Sequence, residues 1–236
     1  MILSGFEGLD ALAGGVEERR TYILHGNAGT GKTTFGLQFL YQGLIVGENA
    51  VLVSRRPAET VLEHARAFGM DIAPFARAGH LLIVEYVPRI IENVSQVNDP
   101  KEIFAEFERL LRGYHFQRLV FDPISPLLSG PAASLAISRA RILLHLFAEL
   151  QTTTFFVFDT SEGEEYLGNC KDFVYGVLQA EATAPFRGVH RLILERLPFV
   201  KRQRPSIHFE VRLGYGLVEA SPRIAASPFQ RSQRRS

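Results

Sequence analysis

The chain has 236 residues, 46% apolar and 22% charged, with 20 glycines and 12 prolines, the composition of a water-soluble domain with a core of ordinary size. Its longest apolar runs, such as residues 154–158, are far shorter than the ~18–20 residues a membrane span needs, and no basic stretch followed by an apolar one opens the sequence. Transmembrane and secreted classes are therefore not expected, and a cytoplasmic setting is. Cys170 is the one cysteine, so no internal disulfide forms, and the seven histidines show no metal-ligand spacing.

Net charge is +1, but residues 187–236 carry 11 Lys+Arg against 3 Asp+Glu, so this end is +8 and the remainder −7. A basic end of this kind meets nucleic acid, an acidic partner or an anionic surface, or is simply solvated. Only four lysines occur, Lys32, Lys101, Lys171 and Lys201, against 22 arginines.

In chain order, strands are predicted over 21–24, 50–54, 81–84, 119–121 and 154–158, with helical stripes between them. Val61, Leu62, Ala65 and Phe68 form one stripe; Ile103, Phe104, Phe107, Leu110 and Leu111 form another. Asp99 as N-cap, Pro100 at the first helical position and Glu102 three residues after the cap mark the second helix's start. Residues 134–150 are apolar almost all round, which predicts a deeply buried helix. Strands alternating with helices imply a largely parallel sheet. After Asp159 the β-rich segments 174–178, 189–196 and 206–211 lack long crossover helices, which predicts an antiparallel extension. Residues 1–220 read as one domain and 221–236, with four arginines and no acid, as a basic mobile tail.

Gly26-Asn27-Ala28-Gly29-Thr30-Gly31-Lys32-Thr33 matches the phosphate-loop pattern of Gly, four residues, Gly-Lys-Ser/Thr. The strand before it and the helix after it supply the required context, and Thr34, next in the chain, is counted with the loop among the nucleotide-binding residues. Glycines let backbone N–H groups turn toward phosphate oxygens, and the helix N-terminus adds partial positive charge there. Lys32 would reach the β- and γ-phosphates and Thr33 would place its hydroxyl on Mg²⁺. A glycine-rich turn can also serve packing alone; a strand, loop, helix and rare lysine in register favour a nucleoside triphosphate. Asp122, ending the segment Arg118-Leu119-Val120-Phe121, is the expected Mg²⁺-side carboxylate, acting through water. Asp159, beside Thr160-Ser161-Glu162, either senses the γ-phosphate or caps a turn. Glu162, Glu164 and Glu165 read as a surface run or, less favoured, a metal site, and His25 is assigned no role.

Several stretches together resemble the KaiC-like ATPases of the RecA superfamily: Ser4-Gly5-Phe6-Glu7-Gly8-Leu9-Asp10 with Gly14-Gly15, the phosphate loop followed by Leu37-Gln38-Phe39-Leu40-Tyr41, Asp122-Pro123-Ile124-Ser125-Pro126-Leu127 and Thr160-Ser161-Glu162. The similarity runs over about residues 3–220. It implies an α/β fold with a RecA-like P-loop core, a largely parallel sheet flanked by helices and a C-terminal antiparallel β extension. It also implies ATP and Mg²⁺ as ligands, assembly into rings or filaments, and functions from circadian timing and signalling to recombination.

Two departures stand out. Members of that family carry a pair of glutamates after the second strand, which activates the attacking water; the matching positions here are Arg55 and Arg56, and only Glu59 is left as a stand-in. Arginine stays charged and accepts no proton from water. The family's basic-x-basic motif, which reaches a neighbouring subunit's nucleotide, falls on Arg196-Leu197-Pro198, keeping only its first basic residue; Lys201, Arg202 and Arg204 are the nearby substitutes. The expectation is an ATP- and Mg²⁺-binding regulatory or assembly module with weak or absent hydrolysis, in which Arg55 or Arg56 either contacts the γ-phosphate or belongs to a solvated turn. Self-association and a protein partner are expected of it. The alternative is an active, DNA-associated ATPase of recombinase-paralog type; nucleic acid is less favoured, because the tail has no aromatic interleaving beyond Phe229.

Overall fold

The computed structural model describes residues 1–86, 100–128, 133–162, 164–184, 188–201 and 204–220. The expected N-cap Asp99, Arg202 and the tail 221–236 lie outside the described residues. The elements run α1 (Glu7–Ala13), β1 (Thr21–Gly26), α2 (Lys32–Ile45), β2 (Ala50–Ser54), α3 (Ala58–Ala67), α4 (Ala73–Arg77), β3 (Leu81–Glu85), α5 (Pro100–Leu111) and β4 (Arg118–Asp122). They continue with α6 (Ser125–Leu128), α7 (Ala133–Glu149), β5 (Thr153–Asp159), a 3₁₀ turn (Thr160–Glu162), α8 (Glu164–Lys171), β6 (Gly176–Ala184), β7 (Val189–Arg196), β8 (Ser206–Arg212) and β9 (Gly216–Glu219).

One nine-stranded sheet has the order β3-β2-β4-β5-β1-β6-β7-β8-β9. The first six strands are parallel, and β7, β8 and β9 continue as antiparallel neighbours. β6 therefore belongs to both halves: it runs parallel to β1 and antiparallel to β7, where the sequence pattern places it wholly in the antiparallel extension. The 3₁₀ turn and α8 supply the crossover, a helix of eight residues being enough. β9, absent from the predicted strands, is four residues long; it follows the positive-φ Gly214 and opens with the positive-φ Gly216.

β1 and β2 are buried from end to end and β4 and β5 in all but their last residue, as expected for the centre of a sheet covered on both faces, whereas the edge strand β3 is partly exposed. Alternation sends Tyr22, Leu24, Leu52, Val120, Phe155 and Val157 into one core with α2 and α3, and Ile23, Val51, Val53, Leu119, Phe121, Phe156 and Phe158 into the other with α5, α7 and α8. α7 is less buried than its composition predicts: Ala140, Leu143, Leu144 and Phe147 face the core, whereas Ser138, Arg141, His145 and Glu149 are exposed. The polar residues form a solvent face between leucines, and the average hydrophobicity of the stretch conceals it.

Arg118, 2% exposed at the start of β4, ties three segments together. It pairs with Glu48, donates to Leu3 O at 2.8 Å and Phe39 O at 2.8 Å, and lies over the Phe39 ring. Because truncation leaves Glu48 and two carbonyls without their donor, Arg118→Ala is expected to cost about 3–5 kcal/mol, read as a thermal midpoint lower by roughly 10 °C. A midpoint within a degree or two of the parent would refute this.

Candidate functional site

The C-terminal ends of β1, β4 and β5 meet at one edge of the sheet, where an open α/β sheet leaves a crevice. Gly26 ends β1 at φ 151°, and a Cβ there would stand 2.0 Å from Ala180 O, so only glycine passes. Gly31 caps α2 in the left-handed region at φ 86°, and its added Cβ would lie 2.9 Å from Val211 Cγ2. The antiparallel strand β8 therefore packs directly on the start of the phosphate helix. This is what the C-terminal extension contributes to the site.

Around this turn lies a cleft of ≈ 330 Å³ lined by Ala28 through Thr34, Arg55, Arg56, His64, Phe68, Asp122, Pro123, Val157, Asp159, His190 and Val211. Lys32, 6% exposed, folds over the loop and donates to Gly26 O at 2.7 Å and Asn27 O at 2.6 Å, with Asp159 Oδ2 at 3.7 Å. Thr30 Oγ1 donates to Asn27 O at 2.8 Å, and Thr160 Oγ1 to Asn27 Oδ1 at 2.5 Å, joining the loop to the end of β5. The Thr33 hydroxyl donates to the Asp122 carboxylate. Burial pushes the Asp122 carboxyl up, against the pull of that hydrogen bond and of Arg56, Lys32 and Arg55. Burial also acts to raise Asp159, but the Ser161 hydroxyl, the Ser161 N–H and Lys32 hold it below the ordinary carboxylate range.

These residues fit a nucleoside triphosphate with Mg²⁺. A buried ammonium bound to loop carbonyls beside one carboxylate would take up phosphate oxygens, and Thr33 and Asp122 stand together as a hydroxyl–carboxylate pair that would serve Mg²⁺. Among the described residues no group of three or more His, Cys, Asp and Glu could cage a metal. Mg²⁺ suits such a site because it keeps a shell of water and phosphate oxygens rather than demanding an all-protein cage.

Arg55 and Arg56 stand at the end of β2 as cleft residues with exposed side chains, their backbone N–H groups bound to Asp122 O at 3.3 Å and Ser54 Oγ at 3.0 Å. Glu59, the stand-in acid, is not brought to the cleft: it lies exposed in the first turn of α3 and is not among the lining residues. Arg196, expected to reach a neighbouring subunit's nucleotide, donates within this chain to Val174 O at 2.6 Å and to Lys171 O, because α8 ends beside the last residue of β7. The Glu162 and Glu165 side chains lie outside the described residues, and the Glu164 side chain is exposed.

Sequence reasoning missed His64, Phe68, His190 and Val211 as cleft residues. The only signal was that Phe68 closes the apolar stripe of α3; nothing local marks a residue of β7 or β8 as facing a helix N-terminus. His25, buried before Gly26, has Nε2 at 3.3 Å from Glu195 Oε2, and Glu195 also pairs with Lys171 at 2.6 Å and Arg204 at 3.2 Å.

Burial holds the imidazoles of His25, His64 and His190 below their ordinary range. The folded chain thus binds fewer protons at these sites than the unfolded chain. The stability they contribute is complete above the unfolded value of ~6.5 and is lost as pH falls through the lower folded values. The unfolding midpoint is expected to drop between about pH 7.5 and about pH 5.5, and to drop less in His190→Gln. Equal slopes for the two proteins would refute the assignment to His190.

Among the described residues no helix is long and apolar enough to cross a membrane. Residues 2–193 match the family model described as "ATPase: KaiC". A UPF0273 protein of Pyrobaculum aerophilum is 35% identical over 174 residues, covering 68% of this chain and 60% of the relative. The circadian clock oscillator protein KaiC of Synechococcus elongatus is 31% identical over 169 residues, covering 68% of this chain and 31% of the relative. The chain thus aligns with less than two thirds of either relative's length. The crystal structure of a KaiC-like protein from Pyrococcus horikoshii superposes with a TM-score of 0.75 at 23% identity, over 93% of this chain and 98% of that one, and shows the shared fold. The match along most of the chain agrees with the crevice geometry, and the chain belongs to the KaiC family of ATPases within the RecA superfamily of P-loop proteins.

Proposed function

We propose that this chain is an ATP- and Mg²⁺-binding module of regulatory or assembly type in which hydrolysis is weak or absent. The observation that carries the reading is the pair Arg55–Arg56 on the cleft wall at the end of β2, where a carboxylate pair would be needed to activate water. The acids that do line the cleft are engaged: Asp122 holds Thr33, and Asp159 holds Ser161 and Lys32. Glu59 is outside it. Bound Mg²⁺ would neutralise phosphate charge, and the chain's own residues would bind and orient the nucleotide: Lys32 the β- and γ-phosphates, the loop N–H groups the α- and β-phosphates, Arg55 or Arg56 the γ-phosphate. A positioned general base contributes ~10²–10⁴-fold, so its loss slows turnover while leaving binding largely in place.

Calorimetry with Mg²⁺-ATP, paired with phosphate release on the same sample, tests the reading. Tight binding with negligible release is expected. Brisk release stimulated by DNA would instead favour the DNA-associated ATPase, for which the +8 C-terminal end speaks. Self-association and a protein partner follow from the family resemblance; a monomer by light scattering at saturating ATP would count against the first.

A further inference from the structure

A hydrogen-bonded pair outside the phosphate-loop motif links the phosphate helix to the arginine turn. Thr34 belongs to the first turn of α2, whose backbone N–H groups have no intrahelical acceptor and serve the phosphate position. Its Oγ1 lies 3.1 Å from Nε2 of His64 on α3. The imidazole is backed by Phe68, with ring centroids 4.8 Å apart. It also shares the wall of a small cavity with Thr33, Ser54, Arg56 and Asp122.

α3 begins immediately after Arg55-Arg56-Pro57, and Pro57, at φ −54°, stiffens the joint. The position of α3 therefore sets where the two arginines stand relative to α2. Apolar contacts of Val61 and Ala65 press α3 on the core but are non-directional. The His64–Thr34 bond is directional, and it acts at the point where α2 meets phosphate. Burial and the charge of Arg56 favour the neutral ring, which retains a nitrogen able to accept the Thr34 proton.

We propose that His64 is a positioning residue: through Thr34 it fixes α3 and the Arg55–Arg56 turn against the phosphate helix, and so sets the preference of the site for a triphosphate over a diphosphate. This rests on the nucleotide reading above and on the arginines meeting the terminal phosphate.

The test uses the full chain with Mg²⁺ and compares ATP and ADP affinities by calorimetry for the parent, His64→Ala, His64→Gln, Arg55→Ala/Arg56→Ala and the triple variant. His64→Ala is expected to weaken ATP roughly 3- to 10-fold while ADP changes by less than about twofold, the scale of one hydrogen bond. His64→Gln, which keeps a hydrogen-bonding group, restores most of the preference. In the Arg55→Ala/Arg56→Ala background, His64→Ala has no further effect on ATP. An unchanged ATP to ADP ratio in His64→Ala, equal losses for both nucleotides, or the same ATP loss with the arginines already removed would each overturn the proposal. A parent protein that binds neither nucleotide overturns the nucleotide reading itself. His64→Gln and His64→Ala melting curves identify a variant that fails to fold, in which case the Gln variant alone decides by its ATP to ADP ratio.

Discussion

Replacement of Lys32 by alanine is expected to weaken Mg²⁺-ATP binding by roughly 10²–10³-fold, the largest loss from any single substitution in the cleft. The lysine is one of four in the chain, its side chain is almost fully buried, and its ammonium now holds two loop carbonyls and faces Asp159 across 3.7 Å. Phosphate oxygens would replace those partners with stronger, doubly charge-assisted bonds in a site of reduced dielectric. Alanine removes the charge and leaves Asp159 facing the incoming phosphates without a counter-ion. Thermal shift gives the readout: ATP at about 100 times its dissociation constant stabilises a binding-competent protein by about 2.7 kcal/mol, and this shift should vanish in Lys32→Ala when measured against that variant's own ligand-free midpoint. A variant that keeps the ATP-induced shift would mean that nucleotide binds elsewhere or not through the phosphate loop.

The parts legible in the sequence are those whose physics is local. Buried parallel strands read as continuous apolar runs, and Thr21–Gly26, Ala50–Ser54, Leu81–Glu85, Arg118–Asp122 and Thr153–Asp159 all stand within one or two residues of their predicted bounds. The phosphate loop is legible because backbone conformation demands glycine at fixed positions, seen in the φ of Gly26, Gly29 and Gly31. β6 was half legible: its β character shows in its residues, but its direction depends on α8, a helix too short to announce a crossover. β9 could not be read, since four residues held by pairing to β8 and by the Gln38 side chain on Leu217 carry no pattern of their own. The cleft wall outside the phosphate loop was equally hidden. His64, His190 and Val211 come from α3, β7 and β8 and share the cleft only through the packing of helix and sheet, which no periodicity encodes. Glu59 and Arg196 mark the same boundary from the other side. Arg196 falls where the family pattern has a basic residue and Glu59 is the nearest acid left where that pattern has glutamates; their surroundings here, an exposed helix turn and the carbonyls of Lys171 and Val174, are set by the fold and not by the local sequence.

Substitution of Arg55 and Arg56 together by glutamate is expected to raise phosphate release by about 10²-fold, the lower end of what a positioned base contributes. The geometry supports a gain rather than simple damage. Both positions follow β2 directly, both line the cleft, and the Arg55 N–H already binds the carbonyl of Asp122, which places this turn beside the carboxylate proposed to serve Mg²⁺. Their side chains are exposed, so the change neither cavitates the core nor strands a buried charge. ATP affinity should fall at the same time, because two cations facing the terminal phosphate are exchanged for two anions. That opposition separates the explanations: a rise in single-turnover rate at saturating ATP together with weaker ATP binding follows only if the arginines both hold the phosphate and occupy the position of the missing base. The gain stays well below the full catalytic range, because Arg196 is held by the chain's own carbonyls, and an arginine reaching a transferring phosphoryl group is by itself worth ~10³–10⁵-fold. Such contributions act as a unit, so restoring the carboxylates alone recovers only part of the rate. Should the parent protein already release phosphate as fast as the double variant, water activation must come from another residue, and the arginine pair would have to be read as a binding feature with no bearing on hydrolysis.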